Sequence, residues 1–284
     1  MTIDDPRTLV STDWLAERLG NPDIRVIDGS WYMPAAGRDP RAEFEAAHIP
    51  GARFFDLDEI SDHRSNLPHM APPPEKFASR MRAMGIADGQ QLVIYDGAGM
   101  FSAPRVWWTF RLMGKTDVAV LDGGLPKWRA EGRPIENMHI PPRERHFMAQ
   151  RQPDMVRDVT QMAQASKLGT HTILDTRGAA RFAGREAEPR PGLRSGHIPG
   201  SVNIPFPSLL NADGTMKDPD ALRAVLAAAG ADLTRPVITT CGSGVTAAII
   251  SLALERIGVR DHALYDGSWA EWGMYDDLPI AKDE

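Results

Sequence analysis

Residues 236–248 read PVITTCGSGVTAA. The run VITT (237–240) is short, apolar or β-branched, and bounded by Pro236 and a glycine-bearing turn, so it predicts a buried strand. Residues 245–257, VTAAIISLALERI, carry apolar residues at helical spacing and stop at Gly258, a residue type that closes helices. The loop from Cys241 to Thr246 therefore takes the chain from a strand end into the first turn of a helix. Strand followed by helix is the unit of a parallel α/β sheet, and such sheets place their sites beyond the carboxyl ends of their strands.

Outward from this stretch, the chain proves to be doubled. IRVIDGSW (24–31), AHIPGA (47–52), QLVIYDGAGMFSA (91–103) and VLDGGLPKW (120–128) form one series. HTILDTRGAA (171–180), GHIPGS (196–201), PVITTCGSGVTAA (236–248) and LYDGSWAEW (264–272) form the second, in the same order. The offset of about 145–150 residues is far longer than a solenoid unit, so each copy is a whole domain. RVID (25–28), QLVIYD (near 90–96) and VAVLD (118–122) predict strands in the first copy; TILD (172–175), VITT and ALYD (263–266) predict them in the second. EKFASRMRAMGI (75–86) and DALRAVLAAAG (220–230) have helical periodicity between them. Each copy is thus expected to be α/β, a parallel sheet flanked by helices on both faces. The expected boundaries are a first domain at 1–138, a polar, proline-bearing linker at 139–154 (HIPPRERHFMAQRQPD) and a second domain at 155–284.

Bulk composition narrows the function. With 42% hydrophobic and 25% charged residues, the chain reads as an ordinary globular protein. A net charge of −6 argues against a nucleic-acid partner. No apolar run approaches the roughly 20 residues of a membrane helix, so no membrane partner is expected. The start MTIDDPRTLVSTDW is acidic and polar, unlike a signal or transit peptide. One cysteine permits no intramolecular disulfide and suits a reducing compartment, so a cytoplasmic address is expected.

A lone cysteine is often a small buried hydrophobe. Cys241 differs because Gly242 and Gly244 flank it, hydroxyls follow at Ser243 and Thr246, and a helix opens directly behind. The first turn of a helix offers unpaired amide N–H groups and the positive end of the dipole, which favour an anion such as a thiolate. Phosphate chemistry in such a loop requires an arginine six positions on; Ala247 stands there, and no basic residue lies within 241–246. Sulfur transfer through a cysteine persulfide remains. In the first copy Asp96 stands at the cysteine position, and a carboxylate cannot form a persulfide, so that half is expected to be catalytically silent. His48 and His197 head matched turns in both copies and read as structural. Trp107, Trp108, Trp269 and Trp272 read as packing residues.

At these residues the chain resembles the two-domain rhodanese family. The resemblance covers nearly all of it: both HIPG turns, SAPRVWW (102–108), the LDGG and YDGSW turns and the cysteine loop. Within that family the small neutral loop CGSGVT is similar to that of the branch using 3-mercaptopyruvate, whereas the thiosulfate branch carries basic residues after the cysteine. The resemblance implies two tandem rhodanese-like domains and a ping-pong reaction. Cys241 takes sulfur from 3-mercaptopyruvate, pyruvate leaves, and thioredoxin, a small thiol or cyanide accepts the sulfur.

It also implies site residues. Arg181 and Arg190, in RFAGREAEPRPG (181–192), match the arginines that hold the substrate carboxylate and keto oxygen. Arg185 and Arg194 are left as solvated charges. Gly242, Gly244, Val245 and Thr246 complete the substrate-binding loop. Ser243, His69 (in LPHM) and Asp58 (in FFDLD) match a serine–histidine–aspartate set proposed to move a proton in mercaptopyruvate enzymes. No metal site or dinucleotide fingerprint is legible, so no cofactor is expected, and the chain is expected to be a monomer. Two alternatives stand beside this reading: a thiosulfate:cyanide sulfurtransferase, and a persulfide carrier or redox-sensing module without turnover.

Overall fold

The computed structural model describes residues 4–138 and 141–283. His139 and Ile140, at the start of the expected linker, lie outside the described residues. The chain divides into two compact units. The first comprises residues 1–63, 71–152 and 212–216; the second comprises 64–70, 153–211 and 217–284. Each unit therefore includes a short segment taken from the other half of the sequence.

Among the described residues, each unit holds one five-stranded sheet. The first is built from β1 (Leu9–Val10), β2 (Ile24–Asp28), β3 (Arg53–Phe54), β4 (Gln91–Tyr95) and β5 (Val118–Leu121), in the order β1-β5-β4-β2-β3. The second is built from β6 (Val156–Arg157), β7 (Thr172–Asp175), β8 (Ser201–Asn203), β9 (Val237–Thr240) and β10 (His262–Tyr265), in the order β6-β10-β9-β7-β8. Every pairing is parallel. The six strands expected from sequence are the inner three of each sheet. The added strands β1, β3, β6 and β8 are two or three residues long, too short to show a period.

The inner strands are apolar or β-branched because both faces are covered. VAVL of β5, TILD of β7 and VITT of β9 are buried at every position. In the first unit Val26, Val93, Tyr95, Ala119 and Leu121 pack with Phe44, Ile49 and Trp128. In the second, Ile173, Ile238 and Tyr265 pack with Met162, Trp269 and Trp272. The buried indoles keep partners for their N–H groups: Trp272 Nε1 donates to Pro279 O at 2.9 Å and Trp107 Nε1 to Val118 O at 3.1 Å. His48 and His197 are structural in matching ways. His48 stacks on Phe44 with its Nδ1 2.7 Å from Phe44 O, and His197 stacks on Phe182 with its Nδ1 2.9 Å from Phe182 O.

The helix behind the cysteine loop spans Ala247–Arg256, starting two residues later than its apolar pattern suggests. Thr246 stands at its N-cap without a side-chain cap bond; its hydroxyl lies 2.9 Å from that of Thr176 on the neighbouring loop. Gly258 follows the helix with φ +82°, the left-handed turn expected of a glycine there. No helix among the described residues is long and apolar enough to cross a membrane.

Candidate active site

The strand order decides where the site lies. In the second sheet β9 sits between β10 and β7, and the chain reaches it only after leaving β7 for the edge strand β8. The carboxyl ends of β7 and β9 thus adjoin at a change of winding direction, where α/β sheets open a crevice. The loop after β9 carries Cys241, and the loop after β7 carries a group of arginines.

Cys241 is buried, and its own peptide is held on both sides. Its N–H donates to Ser268 Oγ at 3.3 Å, and its C=O accepts from Trp269 N at 2.9 Å. Gly242 O accepts from Ala270 N at 2.8 Å. Three consecutive residues at the start of the helix Ser268–Trp272 therefore grip the first two residues of the loop. Gly244 turns the chain with φ +79°, a conformation that suits a residue without a Cβ.

The matching loop of the first unit displays what such a turn binds. Asp96 is fully buried and its carboxylate accepts the backbone N–H groups of Ala98, Phe101, Ser102 and Ala103, each at 2.8 Å. Asp96 C=O accepts from Leu125 N at 3.0 Å, as Cys241 C=O does from Trp269 N. The loop closes around one anion using amides of its own turn and of the following helix start.

The arginines beside Cys241 form a connected pair. Arg177 is buried and donates to both oxygens of Asp175, through Nε at 3.0 Å to Oδ2 and 3.2 Å to Oδ1. Its Nη1 donates to Glu188 Oε1 at 2.8 Å, and its guanidinium lies 4.2 Å over the Trp269 ring. Burial works against the Arg177 charge, but Asp175 and Glu188 outweigh it and hold the group more firmly protonated than usual. Arg181, at the end of the helix Ala179–Phe182, pairs with the other oxygen of Glu188. The Arg181 Nη2 lies 3.2 Å from where a Cβ on Gly242 would stand. A Cβ on Gly242 would crowd this guanidinium by a few tenths of an ångström. The Glu188 side chain is only 2% exposed and pairs with both arginines.

Arg190 is half-buried in the turn that follows Glu188. Arg194 departs from the solvated charge expected of it: its Nη2 donates to Trp272 O at 3.3 Å and its Nε to Gly273 O at 3.4 Å. It closes the carbonyl end of the short helix Ser268–Trp272, where a cation is favoured.

His69 belongs to the 64–70 segment of the second unit, and its Nδ1 lies 3.1 Å from Ser243 Oγ. Both side chains are buried. His69 holds this position with φ +60°, in the left-handed region. Asp58 lies in the first unit, in the turn Leu57–Ile60, where its Oδ2 accepts the Trp31 indole N–H at 3.0 Å.

The second unit therefore brings together Cys241, Ser243, Gly242, Gly244, Thr246, Arg181 and His69. Sequence reasoning passed over Arg177, Glu188 and Ser268. The signal for Arg177 was present, since an arginine two residues beyond a strand-ending Asp has no equivalent in the first copy, where Ser30 stands.

Comparison with known proteins places the chain. Residues 11–131 and 158–275 each match the rhodanese-like domain. The chain belongs to the rhodanese family, as two such domains in tandem. It is 44% identical to 3-mercaptopyruvate sulfurtransferase of Escherichia coli over 95% of this chain and 96% of that protein. It is 43% identical to thiosulfate sulfurtransferase of Bos taurus over 94% of this chain and 92% of that protein. Among solved structures, Tum1 of Saccharomyces cerevisiae superposes with a TM-score of 0.91 at 33% identity, covering 99% of this chain and all of that one.

Proposed function

We propose that this chain is a 3-mercaptopyruvate sulfurtransferase that works through a persulfide on Cys241. The Cys241 thiolate attacks the sulfur of 3-mercaptopyruvate. A sulfur–sulfur bond forms, the carbon–sulfur bond breaks, and its electron pair passes to the carbon, giving the enolate of pyruvate. Protonation at that carbon releases pyruvate. An acceptor thiolate then attacks the outer sulfur, leaving an acceptor persulfide and restoring the Cys241 thiolate. Thioredoxin, a small thiol or, in an assay, cyanide can serve as acceptor.

In this reading Arg181 and Arg190 hold the carboxylate and keto oxygen of the donor. Gly242, Gly244, Val245 and Thr246 shape the loop around the sulfur. The Asp96 cradle supports the loop's part, since a loop of the same order and turn binds an anion through its own amides. The first unit, with Asp96 in place of a nucleophile, takes no part in persulfide formation. The chain acts as a monomer in a reducing, cytoplasmic setting, consistent with one buried thiol.

The observation that carries the choice of donor is the His69–Ser243 hydrogen bond beside Cys241. An enolate leaving group must be protonated, whereas sulfite leaves thiosulfate as a stable anion and needs no acid. Ser243, supplied by His69, is the proton source. Intact mass after exposure to 3-mercaptopyruvate should rise by about 32 Da, one sulfur, on Cys241 and return on adding thiol, as a covalent intermediate requires. Relative kcat/KM for the two donors separates the alternatives. A preference for thiosulfate defeats the proton argument, and a stable persulfide without multiple turnovers indicates a carrier.

A further inference from the structure

Two non-glycine residues among those described have positive φ: His69 at +60° and Ser268 at +51°. Both hydrogen-bond to the cysteine loop, His69 to Ser243 and Ser268 to Cys241 itself. A left-handed conformation costs an L-residue energy, and such positions persist where the surrounding structure gains from them. The His69 contact belongs to the proton relay already described. Ser268 has no place in it.

The first copy provides the control. DGGL at 122–125 aligns with DGSW at 266–269, so Gly124 is the counterpart of Ser268. Gly124 has φ +55°, nearly the same backbone. A Cβ added there would stand 2.6 Å from Asp96 O and 2.8 Å from Gly99 O, closer than atoms can approach. Where the loop ends in a permanent carboxylate, the turn uses the residue without strain. Where the loop ends in a cysteine, it uses a strained serine whose side chain is fully buried.

The hydroxyl explains the difference. Ser268 Oγ donates to Tyr265 O at 2.9 Å and accepts the Cys241 N–H at 3.3 Å. Together with the Trp269 N–H on Cys241 O, it fixes both hydrogen-bonding groups of the cysteine residue. A thiolate that attacks, becomes a persulfide and is attacked in turn moves repeatedly between charge distributions. Its Cα must keep one orientation through these changes, and an anchored peptide supplies that.

We propose that Ser268 is a positioning residue for the Cys241 nucleophile, its left-handed backbone strain held in exchange for a hydroxyl on the Cys241 N–H. The proposal rests on the persulfide reading above. Ser268→Gly relieves the strain and removes the hydroxyl; Ser268→Ala keeps the strain and removes the hydroxyl. Ser268→Gly is expected to melt at or above the wild-type temperature while kcat with 3-mercaptopyruvate falls about tenfold or more, as for a misplaced reacting group. KM should stay within about twofold, because the arginines that bind the donor are untouched. Alkylation of Cys241 by iodoacetamide, measured without donor, should slow by a similar factor. Ser268→Ala should show the same kinetic loss with a lower melting temperature.

Wild-type kcat and alkylation rate in Ser268→Gly would overturn the proposal. So would a loss in both variants that only tracks the folded fraction, or one carried by KM. Absence of mercaptopyruvate turnover in the wild-type chain defeats the functional reading instead, and the alkylation rates still decide the role of Ser268.

Discussion

The loops after β4 and β9 are built to one plan and filled differently. In the first unit, Asp96 closes four amide N–H groups on a carboxylate that is part of the chain. In the second, the same position holds a thiol. One cradle holds a carboxylate of its own chain; the other, on the proposed mechanism, holds an anion made and unmade during turnover. The neighbouring loops differ in parallel. Asp175 has Arg177 bound to both oxygens, whereas its counterpart Asp28 has Ser30 N at 2.9 Å and no arginine two residues on. Arg38 in the first unit closes onto Glu43 and Tyr32 and reaches Gly97 O at 3.3 Å, an echo of Arg181, Glu188 and Gly242.

The comparison can be broken most directly at the two anion positions. Cys241→Ser should lower turnover by at least about 10³-fold and abolish the gain in mass. Adding Asp96→Cys to that variant should restore neither, because Ala98 stands where Ser243 would be needed. A persulfide on the introduced thiol would show that the loop alone suffices. Next in size is stability. Asp96→Ala should cost about 4 kcal/mol in urea unfolding, because buried amides lose their acceptor. Cys241→Ala should cost about 1 kcal/mol, the scale of a small truncation. Equal costs would deny the structural use of the first cradle.

The arginines come third. Arg181→Ala should reduce kcat/KM for 3-mercaptopyruvate by about 100-fold, or about 2.7 kcal/mol, while Arg38→Ala changes it less than about twofold. Steady-state kinetics on both variants test whether only one of the two pairs serves the donor. The last test separates the two aspartates. Burial lifts Asp28 from 3.8 to about 6, with Asp96 adding to the shift and Ser30 opposing it. Below 3.8 its carboxyl is neutral in folded and unfolded chains and costs nothing. As pH rises from 3.8 to about 6 the unfolded chain ionises while the folded carboxyl stays protonated, so native stability falls across that window and levels off above it. Asp28→Asn should therefore match the wild type near pH 3 and exceed it by about 3 kcal/mol at pH 8, read by denaturant titration at both. No gain at pH 8 would mean that the aspartate finds compensation equivalent to Arg177.

Much of this was legible in the chain because it is written twice. The inner strands announce themselves as buried apolar runs, and the glycine-flanked cysteine at a strand end points to its own loop. Arg181 and His69 emerged only through resemblance, since no spacing rule links residue 69 to residue 243. Glu188 was hidden because a glutamate in a charged loop normally belongs to solvent; only the fold folds it beneath two guanidiniums. Ser268 was hidden by tolerance of the motif, where glycine and serine both read as turn residues. Its meaning depends on a backbone angle and on which copy contains the thiol.

The segments exchanged between the units bear on how such a doubled chain can evolve. The second unit includes residues 64–70, which carry His69 to Ser243, and the first includes residues 212–216, where Met216 N donates to Asp122 Oδ1 at 2.8 Å. A gene split in the stretch between the repeats would leave each product without a short segment of its own unit, and the sulfur-bearing half without its histidine. The copy with Asp96 at the cysteine position is thereby protected from deletion. It can drift in its chemistry but cannot be discarded, which makes the duplication, once the arms are traded, irreversible.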